Sequence, residues 1–290
     1  HLPDQERHGN AHVVRTLDDS IGLRDELTPG GRRVVVIGAG FIGLEVAATA
    51  RGLDNDVVVL EGAPAPLIRA CGAEMGAAVT AVHADHDVDI RCDVGVAGFE
   101  PGRVVLADGE RVDADVVVVG IGVSPAVDWL DGSGLTLDNG VVCRAHLAAH
   151  GADDVFAAGD IAHWYHPRFD ETMRIEHWTN AAEQGALAAG NLLAVAAGEP
   201  TDTYRAIPFF WSEQFDRRIQ FVGRPAGDDD VRLVAGSVDE RRFAALYGSQ
   251  GRLRGALGVN MPRMVMPFRA HLEAGIGFED ALDVAAELAS

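Results

Sequence analysis

The chain has 290 residues and a formal charge of −20, and all 24 of its basic residues are arginine. So acidic a surface repels nucleic acid and anionic membrane, and neither is expected as a partner. Apolar residues make up 48% of the sequence, enough core for two or three domains of about 100 to 150 residues each. No apolar run of about 18 residues and no signal-type amino terminus is visible, which implies a cytoplasmic protein with no membrane span.

Residues 1–12 are polar and pattern-free and read as a linker. From Leu17 a D-D-S start signal precedes IGLRDEL, a short helix ended by Pro29-Gly30-Gly31. Residues 34–61, VVVIGAGFIGLEVAATARGLDNDVVVLE, then combine a valine strand, a G-x-G-x-x-G turn, an alanine-rich helix, a second valine strand and a terminal acid. That is a dinucleotide-binding unit. Gly38 permits the tight strand-to-helix turn, Gly40 lets the backbone approach a pyrophosphate, and Gly43 lets helix and strand pack closely. Phe41 and Ile42 open the helix, whose unpaired N–H groups and dipole favour phosphates. Glu61 lies close to the ~20-residue spacing expected for the acid that accepts from a ribose 2′-hydroxyl. With Gly62 and Ala63 behind it and no arginine nearby in sequence, a 2′-phosphate is repelled, so NAD(H) is expected over NADP(H).

A helix over 73–86 and a short strand Val88 to Arg91 follow. Residues 94–106 read as two strands turned at Pro101-Gly102, and 107–114 as a turn. The strand Val116 to Val119 runs into Gly120-Ile121-Gly122, where glycines at the carboxyl end of a parallel strand let the chain cross a cofactor closely. A tight turn without a ligand is the competing reading. Val155 to Asp160 is another strand ending in Gly-Asp, its carboxylate either accepting from sugar-like hydroxyls or capping the next helix. A helix starts near Thr179, its amino end able to stabilise negative charge. From 205 to 260 short strands separated by Gly and Asp turns form an antiparallel sheet, followed by a helical tail.

Cys71, Cys92 and Cys143 are far apart with no C-x-x-C pair, so isolated thiols are expected and no redox disulfide. His83 with His86, and His163 with His166, have an i, i+3 relation but no evident third ligand; no metal site is expected.

These motifs resemble the ferredoxin (rubredoxin- and putidaredoxin-type) reductases of the FAD-dependent pyridine nucleotide oxidoreductase superfamily. The resemblance rests on VVRTLDDSIGLR at 13–24, VVVIGAGFIGLEVAA at 34–48, ADVVVVGIGVSP at 114–125, VFAAGDIA at 155–162, RIEHWTNAAEQG at 174–185 and PFFWSEQF at 208–215, in the family's order. It implies an α/β fold: a Rossmann-like NAD(H)-binding domain at 13–130 inserted in an FAD-binding domain whose second part is 131–200, then a C-terminal α+β interface domain with an antiparallel sheet at 201–290. It also implies that Asp160 binds the ribityl and phosphate portion of FAD. Glu176, His177 and Trp178 meet the flavin, with Trp178 at the isoalloxazine and the following helix aimed at the N1 and C2 edge. Glu45 resembles the family's glutamate beside the nicotinamide; an ordinary solvated helix residue is the alternative. Such reductases carry a second G-x-G-x-x-G for the ADP half of FAD, so the resemblance implies that a segment of about one domain is missing ahead of His1, the sequence being either a fragment or the product of a naturally shortened gene, and without that segment FAD should be held poorly or not at all.

The activity implied is electron transfer from NADH through FAD to a ferredoxin-type iron–sulfur protein serving an oxygenase. Residues 1–200 hold 13 Arg against 31 acids, and 201–290 hold 11 against 13. The last third, with Arg217, Arg218, Arg241, Arg242 and Arg263, is therefore the expected docking side for an acidic ferredoxin, a scatter of solvated arginines being the alternative. The alternative is an NADH-binding protein resembling apoptosis-inducing factor, with a regulatory association role and slow turnover. The FFW block at 209–211 serves either such an interface or the last domain's core.

Overall fold

The computed structural model describes residues 10–289. Its elements in chain order are β1 (Ala11–His12), α1 (Leu17–Leu27), β2 (Arg33–Ile37), α2 (Phe41–Gly52), β3 (Asp56–Leu60), α3 (Ile68–Ala84), β4 (Asp89–Arg91), β5 (Val96–Glu100), β6 (Arg103–Leu106), β7 (Arg111–Asp113) and β8 (Val116–Val119). Then come β9 (Val141–Cys143), β10 (Ala162–His166), β11 (Glu171–Met173), α4 (Trp178–Ala197), β12 (Phe209–Gln214), β13 (Arg217–Gly223), β14 (Asp230–Ser237), β15 (Arg242–Ser249), β16 (Arg252–Val259), α5 (Pro262–Val265), α6 (Phe268–Ala274) and α7 (Phe278–Ala289).

The valine runs pair as a parallel sheet in the order β1-β8-β2-β3-β4. Both faces are buried, which is why these strands read as continuous apolar runs. Val34, Val36, Val57, Val59, Val116 and Val118 pack with α1, α2 and α3. Val35, Ile37, Val117 and Val119 pack on the opposite face against Val104, Leu106 and Val112 of the β5-β6-β7 meander.

Three local expectations are corrected. The strand expected from Val155 to Asp160 is only a single bridge of Phe156 with Ala148, followed by a 3-10 turn at Gly159–Ile161. Ala11 and His12, placed in the 1–12 linker, pair with Val117 and Val118 as an edge strand; residues 1–9 lie outside the described chain. The turn expected at 107–114 contains β7, which pairs with β6. Helix α1 is capped two residues ahead of the D-D-S signal: the Thr16 hydroxyl accepts from Asp19 N at 3.1 Å, and the Asp19 carboxylate accepts from Thr16 N at 2.7 Å.

The C-terminal sheet runs β12-β13-β16-β15-β14, antiparallel throughout. Its central strands alternate between two cores with period two. Phe243, Ala245 and Tyr247 join the core shared with α2 and α3, whereas Ala244 and Leu246 join the core under α5, α6 and α7. The dinucleotide unit is therefore packed directly on this sheet. A third core, around Trp164 and Tyr204, joins β9, β10 and β11 to α4.

Candidate cofactor cleft

The carboxyl ends of β2 and β8 lie side by side, and both end in glycine. Gly38 has φ +100, and a Cβ there would stand 2.4 Å from the Gly120 carbonyl oxygen; the Gly120 N–H donates to Ile37 O at 2.8 Å. A Cβ on Gly43 would meet Gly38 O at 2.0 Å, so this glycine lies beneath the turn and not in the cleft. Gly40 differs. Its Cβ would meet nothing within 4 Å, so its bareness serves an approach from outside.

Above these strand ends opens a cleft of about 440 Å³, lined among others by Gly38, Gly40, Phe41, Glu61, Ile121 and Gly122. That volume suits a cofactor, and the first-turn N–H groups of α2 have no helical partners of their own. The residues present fit a dinucleotide. Ile42 is 46% exposed beside the turn.

Glu61 is already engaged. One carboxylate oxygen accepts from Ala39 N at 2.6 Å and the other from Ala63 N at 2.8 Å, so the acid staples the glycine turn to the end of β3. Each oxygen keeps a further lone pair for a ribose hydroxyl. The expectation of no nearby arginine is corrected: Arg69, exposed near the start of α3, lines the same cleft.

Phe41 and Glu45, one turn apart, share a face of α2. Phe41 meets Phe210 edge-on at 4.8 Å between ring centroids, and Phe210 meets the His177 ring at 4.4 Å. Glu45 does not line the cleft; its Oε1 accepts from the Ser212 hydroxyl at 2.6 Å. Burial raises its carboxyl pKa, opposed by the Ser212 hydrogen bond and reinforced by Glu213.

His177 precedes α4 and offers no side-chain cap to its first turn. Burial, with Arg224 nearby, lowers the imidazole pKa to about 4. Trp178 opens the helix, 77% exposed. Glu176 pairs with Arg174, whose guanidinium also donates to Asp160 O at 3.0 Å. Asp160 itself is exposed, and Gly159 N donates to Gln184 Oε1 at 2.8 Å. Among the described residues, the Gln184 amide nitrogen and His177 Nδ1 are buried without partners. Asp160, Glu176, His177 and Trp178 thus gather at the open amino end of α4, an arrangement that fits the flavin half of FAD; the single G-x-G-x-x-G of this chain is taken by the cleft.

The docking arginines expected from sequence are mostly neutralised: Arg217 pairs with Asp216, Arg218 with Glu213 and Arg241 with Asp85. Sequence reading missed a different cluster. Arg168, Arg205, Arg252 and Arg254 line a cleft of about 340 Å³ between the β10–β11 turn and the end of α6. Among these, Arg254 pairs with Glu171 and Arg168 donates to Leu272 O.

Residues 2–185 match the pyridine nucleotide-disulphide oxidoreductase family and residues 209–289 the reductase C-terminal family. The chain is 38% identical over 273 residues to the ferredoxin–NAD(+) reductase component of the anthranilate 1,2-dioxygenase system of Burkholderia cepacia, covering 91% of this chain and 64% of that protein. It is 35% identical to the putidaredoxin reductase of Pseudomonas putida, covering 87% and 60%. The chain thus spans about three-fifths of the length of these relatives. The crystal structure of the covalent putidaredoxin reductase–putidaredoxin complex superposes with a TM-score of 0.85 at 30% identity, over 97% of this chain and 69% of that one. The cleft at the ends of β2 and β8, the sheet packed on α2 and these matches agree, and the chain belongs to the pyridine nucleotide-disulphide oxidoreductase family, with a reductase C-terminal domain.

Proposed function

We propose that the whole protein is a cytoplasmic NADH-dependent flavoprotein reductase, passing electrons from NADH through FAD to a ferredoxin-type iron–sulfur protein that serves an oxygenase. The observation that carries this reading is Phe210, which touches both Phe41 at the cleft and His177 at the amino end of α4. It brings the mouth of the NAD(H) cleft beside the residues suited to a flavin.

When bound, FAD supplies the conversion of a two-electron donor's output into single-electron steps. The chain's own residues bind and orient. The glycine turn and the α2 amino end hold a pyrophosphate, Glu61 takes the ribose, and Phe41, Phe210 and His177 form an apolar wall that keeps water from the reacting edge. No acid–base group is required by such a transfer. Arg168, Arg205 and Arg252 supply the cationic surface for an acidic partner, in place of the arginines the sequence suggested.

The test is steady-state turnover of the full-length, FAD-loaded protein with NADH, using ferricyanide and then an acidic [2Fe–2S] ferredoxin as acceptor. Fast reduction of both is expected. Little turnover together with NADH-dependent dimerisation would overturn the reading in favour of a regulatory association role.

A further inference from the structure

A line of buried polar side chains runs from Glu45 away from the cleft, through the C-terminal sheet, to α3. Ser212 Oγ donates to Glu45 Oε1 at 2.6 Å. Gln214 Nε2 donates to Ser212 Oγ at 3.0 Å. His83 Nε2 lies 2.9 Å from Gln214 Oε1. Ser212, Gln214 and His83 are each at most 1% exposed. Ser212 and Gln214, two apart on β12 with Phe210 two before them, share the strand face turned to α2 and α3.

The direction of the line follows from its atoms. The Ser212 hydroxyl has one hydrogen, given to Glu45, and must accept from Gln214; the Gln214 oxygen is then left to accept from His83. A ring hydrogen on Nε2 meets that oxygen, and burial, which lowers the pKa of His83, disfavours a second one on Nδ1. The reverse order would need a protonated Glu45 and a hydrogen on His83 Nδ1, which is buried with no partner. Every link therefore donates towards Glu45, and polarised chains of this kind strengthen one another. With Oε1 held by Ser212, Oε2 has no hydrogen-bond partner among the described residues.

We propose that Ser212, Gln214 and His83 are positioning residues that hold the Glu45 carboxylate ionised and oriented so that Oε2 accepts from the carboxamide NH2 of the nicotinamide, making the C-terminal sheet a part of nicotinamide recognition. This rests on the NADH reading above.

The experiment is calorimetric binding of NAD+ and of ADP-ribose, which lacks the nicotinamide, to the full-length FAD-loaded protein and its variants. Ser212→Ala is expected to weaken NAD+ about threefold to tenfold and to leave ADP-ribose within about twofold. Gln214→Leu, which removes the second link, shifts NAD+ in the same direction by less, and Ser212→Thr, which keeps the hydroxyl, restores it. Equal losses for both ligands in Ser212→Ala and Gln214→Leu would mean a merely structural role and overturn the proposal, as would no loss for either. Failure of the unaltered protein to bind either ligand would instead sink the NADH reading itself.

Discussion

A Cβ placed on Gly43 would lie 2.0 Å from the carbonyl oxygen of Gly38, and 3.3 Å from Val36 Cγ1. The turn and the helix are in backbone contact, and neither can yield without displacing β2. Gly43→Ala is therefore expected to destabilise the protein by at least about 2 kcal/mol, within the range known for overpacked cores, and to abolish measurable NADH affinity. Gly40→Ala is the contrasting case. Its Cβ meets open space, so the melting temperature should be nearly unchanged while NADH affinity falls at least about tenfold through the lost approach to the pyrophosphate. Thermal melts and calorimetry on both variants check this; equal melting losses would contradict it.

Glu61 has two roles, as a staple for Ala39 N–H and Ala63 N–H and as a ribose acceptor. Glu61→Ala removes both, so a loss of about 2 kcal/mol in stability and about tenfold or more in NADH affinity is expected. The same change relieves repulsion of a 2′-phosphate and leaves Arg69 in the cleft, so the NADPH-to-NADH affinity ratio should rise. Adding Arg69→Ala should bring that ratio back down. A ratio unmoved by both changes would show that neither residue reads the 2′ position.

The dinucleotide unit was legible because its determinants lie within one short stretch: β-branched strands, turn glycines that the tight backbone contact demands, and an acid at a set spacing. The strands after 205 were legible for a similar local reason, since residues such as Phe243 to Tyr247 are apolar on both faces. What escaped depends on distant partners. Ala11–His12 has no strand signal of its own and is ordered by Val117 and Val118. Glu45 and Ser212 are 167 residues apart, and Arg168, Arg205, Arg252 and Arg254 come together only when β10, β11, β16 and α6 have packed. Paired surface arginines such as Arg241 with Asp85 looked available for the same reason: the acid that neutralises it is far away in sequence.

The imidazole of His177 is neutral in the folded protein down to about pH 4, whereas an unfolded histidine titrates near 6.5. Between these values the unfolded chain binds a proton that the folded one does not. Stability therefore falls as pH drops from about 6.5 towards 4, and is unaffected by this group above that window. Burial also lowers the pKa of His83 and His166, which steepens the same limb. His177→Phe, which can keep the ring contact with Phe210, should flatten the decline of chemical stability between pH 6.5 and 4 by up to about 3 kcal/mol. Denaturant titrations across that range check it; an unchanged slope would place the proton uptake elsewhere.

The arginine cleft sets the expected ionic-strength behaviour. Arg205 and Arg252 add two cationic groups beside Arg168 and Arg254, on a chain whose net charge is −20. A local positive field on an acidic body orients an acidic ferredoxin during encounter, and such steering is screened over a Debye length of about 8 Å at physiological salt. Raising salt from about 0.05 to 0.5 M should therefore slow ferredoxin reduction at least about fivefold while ferricyanide reduction, which needs no docked protein, changes less. Arg205→Glu with Arg252→Glu should lower kcat/KM for ferredoxin at low salt and remove most of its salt dependence, with NADH affinity intact. The corresponding change at Arg217 and Arg241, already paired with Asp216 and Asp85, should do much less. If those two prove the sensitive positions, the partner docks at the other end of the sheet.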